Sequence, residues 1–168
     1  MSGDTRSDLD RRVARLEDIE TIKQHKEDYA AACDRDYDAT AVADLFAEDA
    51  VWESNVLGIH RGRTAIYDFI DGSDRETPWI VHIITNARID VAPSGESAAG
   101  AFSLLEISTV TDEYSAEGGD SVVSTATYDD TFVKRDGRWY FQHVIANWHQ
   151  ISNLDQGWAR QRFRGTTA

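Results

Sequence analysis

The 168 residues suit one domain around one core, and a chain that is 41% hydrophobic and 28% charged is globular rather than disordered. With 30 acidic against 17 basic residues the net charge is −13, a field that repels phosphate backbones and anionic lipid, so neither nucleic acid nor a membrane is expected as a partner. The single Cys33 excludes an internal disulfide framework and a cysteine-based zinc site, and no stretch has a signal core or spans a bilayer, so a soluble, cytoplasmic protein is expected.

Leu9, Val13, Leu16, Ile19, Ile22, Tyr29, Ala30 and Cys33 recur at the spacing of one helical face. They predict a helix over residues 7–33 whose stripe lies on a sheet. Ser7 is read as its N-cap, with Asp8 and Asp10 favoured by the helix dipole in the first turn. Residues 9–22 read as a helical arm, either packed on a neighbouring subunit or solvated. The far end, at Tyr29 and Asp34, would deliver a phenol and a carboxylate to a cavity rim. A polar break over residues 35–38 leads to a short helix burying Val42, Leu45 and Phe46. Residues 49–54 read as a first strand, and residues 57–63 as a strand or turn. Thr64 is expected to cap a short helix carrying Ile66, Phe69 and Ile70.

Long strands are predicted over residues 79–91, 99–109, 121–134 and 138–151, with turns at residues 93–96 and at Asp136-Gly137. The tail, residues 152–168, lacks a period and reads as irregular or partly helical. The whole is one domain over residues 1–168 with its core at about 8–151. The expected class is α+β, with helices on one face of a mostly antiparallel, curved sheet that closes a cone around an apolar pocket.

His82 sits in an apolar run and by alternation shares a face with Ile80, Ile84 and Asn86. A desolvated imidazole needs a partner, and a carboxylate would fix its tautomer and make it a general base. The alternative is a structural histidine bound to backbone or tyrosine. Asp34 is the expected partner, since an aspartate at a helix C-terminus is unfavourable without a cation, an ordinary turn aspartate being the alternative. Tyr29 is either core or a donor to a substrate carbonyl or leaving group. It shares a face with Asp34 only if the helix ends or distorts near Cys33. Glu106 is odd in the apolar run 104–107, and lies either on the solvent face or on the pocket wall. His25 is expected to be exposed. His143, Asn147 and His149 alternate onto one face of the last strand, where one of them could line the pocket. No metal site is expected, and Cys33 reads as core rather than nucleophile.

The segments 19–34, 45–52 and 62–66, with the ending 130–139, resemble the SnoaL-like branch of the nuclear-transport-factor-2-like (NTF2-like) superfamily. The resemblance covers about residues 8–151. Tyr29, Asp34 and His82 together are similar to the pattern of bile-acid 7α-dehydratase, scytalone dehydratase and hexachlorocyclohexane dehydrochlorinase, which are cofactor-free lyases. The resemblance implies that Asp34 orients and charge-stabilises His82, that His82 takes the proton and could hand it to the leaving group, and that Tyr29 polarises the carbonyl or assists departure. Where the bile-acid enzymes carry an arginine on the last strand, Asn147 or Trp148 stands here. Where they carry a first-strand tyrosine, Trp52 or Ser54 stands. Trp52, Ser54, Glu106, Asn147 and Trp148 are therefore the expected substrate-binding set. The expectation is a dehydratase-type elimination on a small apolar cyclic or aromatic substrate, without cofactor, in a homo-oligomer, trimer or dimer. A polyketide cyclase or ketosteroid-isomerase-like proton shuttle, a carbon–carbon-cleaving lyase, and a non-catalytic ligand-binding protein are the alternatives.

Overall fold

The structure, a computed structural model, describes residues 2–165. Its first element is a continuous helix, α1 (Ser2–Asp34). Ser7 therefore lies inside the helix and does not cap it. Its Oγ accepts from Arg11 one turn further on, with Nη1 at 2.9 Å. The expected stripe is buried only in its second half. Leu9, Val13 and Leu16 are exposed, in a part of α1 that has the turn at residues 93–95 as its neighbour rather than a strand face. Arg15 ties the helix to the far end of the sheet, donating to the Val91 carbonyl at 2.8 Å and the Asp90 carboxylate at 2.7 Å.

After α1 come α2 (Ala39–Ala43), β1 (Phe46–Ser54), β2 (Gly58–Arg61) and α3 (Arg63–Ile70). Asp38 caps α2, accepting the Ala41 N–H at 3.0 Å. Phe46 opens β1 instead of closing the helix before it, and is fully buried there. Thr64 is not a cap either. Gly62 holds the N-cap position at φ 85°, with no side-chain bond to the helix, while its own N–H donates to the Ala50 carbonyl at 2.7 Å.

Four long strands follow, β3 (Trp79–Val91), β4 (Ser97–Val110), β5 (Asp120–Arg135) and β6 (Arg138–Asn153). With β1 and β2 they form one six-stranded sheet in the order β2-β1-β6-β5-β4-β3, antiparallel except where β1 meets β6. The Asp136-Gly137 turn has both residues at positive φ, 51° and 77°, as a two-residue hairpin of matching twist requires. The sheet is curved and unclosed, and α1 lies against its concave side, so the expected α+β cone is the observed fold. The pairing of β3 with β4 shifts between Thr85 and Arg88, and Asn86 sits at φ 56°. Ile80, His82 and Ile84 face inward before the shift. Asn86 instead is exposed, leaving the face it was expected to share with His82.

The tail runs beside β6 without a regular element over residues 154–165. Phe163 bridges to Ile151, and Arg164 forks between Asp112 at 2.9 Å and Asp120 at 2.8 Å. Among the described residues no helix is long and apolar enough to cross a membrane.

His25 is buried, against expectation. The inward positions of α1 from Ile22 to Tyr29 are occupied by His25 and Lys26, so polar residue types fill a core face. The Nε2 of His25 lies 2.9 Å from the Leu45 carbonyl, and the ring packs on Phe141 at 4.7 Å between centroids. Burial lowers its pKa from 6.5 to about 4. Between those values the folded state binds fewer protons than the unfolded chain. This group's stabilising share is therefore present above pH 6.5 and lost as pH falls towards 4. Asp130, raised to about 6, has the opposite sign in part of that window. The informative quantity is thus the difference between wild type and His25→Gln. Denaturant unfolding across this range should show wild type losing on the order of 3 kcal/mol relative to the variant on acidification. Parallel curves would refute the assignment.

Candidate active site

The site begins where α1 stops. The chain turns at Asp36 and Tyr37, both at φ 50°, and the Tyr37 and Asp38 N–H groups satisfy the carbonyls of Cys33 and Ala32 at 3.0 Å each. The last turn of α1 holds no basic side chain, so the Asp34 carboxylate needs donors from elsewhere. One residue supplies two. Asp34 Oδ1 accepts the His82 backbone N–H at 2.9 Å and lies 2.7 Å from His82 Nδ1. The second contact places a ring proton on Nδ1, so Nε2 is the nitrogen left to exchange a proton with a substrate. The His82 side chain is 6% exposed. Its Nε2 lies 3.4 Å from Oε2 of Glu106 on the neighbouring strand, where the register sets the two residues opposite each other.

A cavity of about 270 Å³ opens on this pair. His82 and Glu106 form one wall, and Tyr29 and Cys33 come from α1. Trp52 and Trp148 come from β1 and β6, Tyr128 from β5, and Phe69 and Ile70 from α3. The Tyr29 hydroxyl accepts from Trp52 Nε1 at 3.1 Å, and has Tyr128 and Cys33 as further hydrogen-bonding neighbours. Burial raises the pKa of the Tyr29 and Tyr128 phenols well above 10, so both are proton donors, not phenolates. Burial also pushes the Cys33 thiol up to about 12, which removes it as a nucleophile. Trp148 Nε1 is buried without a hydrogen-bond partner, a donor that an acceptor in the cavity would satisfy. Glu106 is raised above the usual carboxylate range, first by burial, and the Asp34 charge adds to it.

Of the residues singled out in the sequence, Tyr29, Trp52, His82, Glu106 and Trp148 line this cavity, and Asp34 stands behind His82 as its partner. Tyr29 and Asp34 serve one site despite their spacing, because α1 ends at Asp34 and the carboxylate turns to β3 while the phenol points inward. Two expectations are corrected. Ser54 caps the turn after β1, its Oγ accepting the N–H groups of Val56 at 3.1 Å and Leu57 at 3.2 Å, away from the cavity. Asn147 lies on the outer side of β6, 3.4 Å from Asp129, because the inward positions there are Ala146 and Trp148. His143 and His149 share that outer side and do not line the cavity.

Tyr128 and Tyr37 were missed. Tyr128 alternates inward between Ala126 and Asp130, a signal diluted by the polar run around it. Tyr37 lies in the polar break, and only its positive φ turns it towards the cavity. Among the described residues no three His, Cys, Asp or Glu side chains gather to hold a metal ion.

Comparison with known proteins places this geometry in context. A family model described as a SnoaL-like domain matches residues 14–145. Among solved structures, LinA, a hexachlorocyclohexane dehydrochlorinase, superposes with a TM-score of 0.76 at 22% identity, over 86% of this chain and 94% of that one. A candidate scytalone dehydratase from Novosphingobium aromaticivorans gives 0.75 at 22% identity, over 94% and 99%. A candidate aromatic ring hydroxylase from the same organism gives 0.73 at 21%, over 83% and 94%. At these identities the likeness is one of fold. Comparison with curated proteins found no match.

Proposed function

The chain belongs to the SnoaL-like domain family, and on that premise we propose that it is a cofactor-independent lyase that eliminates water or a similar group from a small, apolar, cyclic or aromatic carbonyl compound. One observation carries the reading. A single carboxylate oxygen of Asp34 holds both the main chain and the ring of His82, and Nε2 lies at the wall of an aromatic cavity, 3.4 Å from Glu106 Oε2. That is the arrangement of an oriented general base. His82 takes the proton beside the activating carbonyl. The Tyr29 phenol donates to that carbonyl as charge develops on its oxygen, and Trp148 Nε1 offers a second donor.

The cavity, at about 270 Å³, is at the small end of ligand sites, which fits a substrate of one or two rings. Glu76 on its lining, with Asp34 behind, disfavours an anionic substrate. The same reading takes the protein as a homo-oligomer. Ile83, Leu105 and Ile107 are exposed on one face of the sheet, an apolar area of the kind a second subunit covers.

The test is a panel of one- and two-ring β-hydroxyketones, followed by enone absorbance and by exchange of the α-hydrogen with deuterated solvent. Wild type should accelerate both, and Asp34→Asn should lower kcat/KM by about 10²-fold, the loss expected when a base keeps its place but loses its charged partner. If wild type neither eliminates nor exchanges any member above the buffer rate, the lyase reading falls. Exchange without loss of water would favour the isomerase-like alternative.

A further inference from the structure

We propose that Glu106 is the general acid of this elimination, giving its proton to the departing hydroxyl while His82 removes the α-hydrogen. The inference rests on the lyase reading and assigns the leaving-group proton to Glu106 instead of to His82. Hydroxide is a poor leaving group, and its departure calls for a proton. Glu106 is 8% exposed, lines the same cavity wall as His82, and holds Oε2 3.4 Å from Nε2. Base and acid therefore stand side by side, within the range that catalytic contacts in an unliganded site tighten from.

The step balances. The α-C–H bond breaks and its proton goes to Nε2. The C–H electron pair becomes the new carbon–carbon π bond, and the C–O bond breaks. The oxygen takes the Glu106 proton and leaves as water. The site then holds an imidazolium against a carboxylate, and the proton passes from Nε2 to Oε2 across the same contact. Both groups are restored without a solvent proton. A buried pair benefits most from such a closed cycle, since neither residue needs a route to water.

Burial pushes Glu106 towards its acid form. Burial is the main cause of its raised pKa, with the Asp34 charge from α1 adding to it and a charged His82 opposing it. Cys33 from α1, Tyr37 from the following turn and Tyr128 from β5 also feel its charge. All three are neutral at neutral pH, because burial raises each of them. The Ser124 hydroxyl, facing Glu106 from β5 in the register, acts against the rise in the Glu106 pKa.

The test compares two leaving groups on one ring, a β-hydroxycyclohexanone and its β-nitrophenoxy counterpart, whose leaving group departs without a proton. Glu106→Gln should lose at least about 100-fold on the hydroxyl probe and less than about tenfold on the nitrophenoxy probe. Equal losses on both probes, or retained activity on the hydroxyl probe, would overturn the inference while leaving the lyase reading standing. Failure of wild type on both probes would instead overturn the lyase reading and this one with it. Wild type gives a second measurement that needs no variant. The hydroxyl probe should lose rate as pH rises through the raised Glu106 pKa and its acid form disappears, and the nitrophenoxy probe should lack that limb. A limb common to both belongs to the shared base step, and identical profiles would overturn the inference.

Discussion

Replacing His82 with alanine is expected to lower kcat/KM on β-hydroxyketones by about 10³–10⁴-fold, the upper part of the range for removing a general base. The substitution is unusually clean. Asp34 also accepts the backbone N–H of residue 82 at 2.9 Å, and that bond does not depend on the side chain. The end of α1 and the start of β3 therefore stay joined when the ring is removed. Affinity for the enone product, measured by calorimetry, should change by less than about threefold, which marks an interaction made only on the way to the transition state. Added imidazole should restore part of the rate, because the missing ring leaves a hole beside the cavity. Full activity in His82→Ala would end the reading of this pair as catalytic machinery.

The second large effect concerns stability. Lys26 and Asp130 are buried to 1% and 2% and meet at 2.9 Å. The ammonium also sits 3.3 Å from the centroid of the Tyr128 ring, whose π face attracts it. Burial is the main force on both, lowering the lysine pKa and raising the aspartate to about 6. Lys26→Met should cost about 3–5 kcal/mol in denaturant unfolding at neutral pH, because it strands a carboxylate in the core. The sign of the pH dependence follows. A folded-state pKa above the unfolded 3.8 means the folded protein binds the extra proton, and removing Lys26, which lowers the Asp130 pKa, raises it further, so the variant should regain stability as pH falls, beginning above about 6. Lys26→Met with Asp130→Leu should lie within about 2 kcal/mol of wild type, since a buried pair exchanged for apolar side chains is often neutral. A single variant costing less than about 1 kcal/mol, or a double variant worse than the single, would show that the pair is not what holds this part of the core.

Much of this was legible in the chain before any coordinates. The long strands, the Asp136-Gly137 hairpin and the meeting of Asp34 with His82 follow from alternation, turn chemistry and an out-of-place imidazole. What misled the reading was residue type standing in for position. His25 and Lys26 look like solvent-facing residues, yet they fill the inward side of α1 between Ile22 and Tyr29, because tertiary partners, not their own hydropathy, decide their burial. Leu9, Val13 and Leu16 erred the other way, being apolar at helical spacing but exposed. Asn147 and Trp148 are neighbours in the chain and lie on opposite sides of the sheet, and only the phase of β6 separates them. That phase is set by pairing with β5, which a single strand does not carry.

The irregularity at Asn86 has a consequence for the wall that bears His82. Between Thr85 and Arg88 the strand carries one residue more than its partner uses from Ser103 to Ala101. Excising that surplus residue would restore strict two-residue parity, with Ile89 and Val91 still on the inner side. Its presence is therefore not what decides which side chains face inward. It bends the ribbon, and the bend brings Val91 round to Arg15 while the other end stays against Asp34. A shortened strand would keep every residue's polarity and lose the hollow.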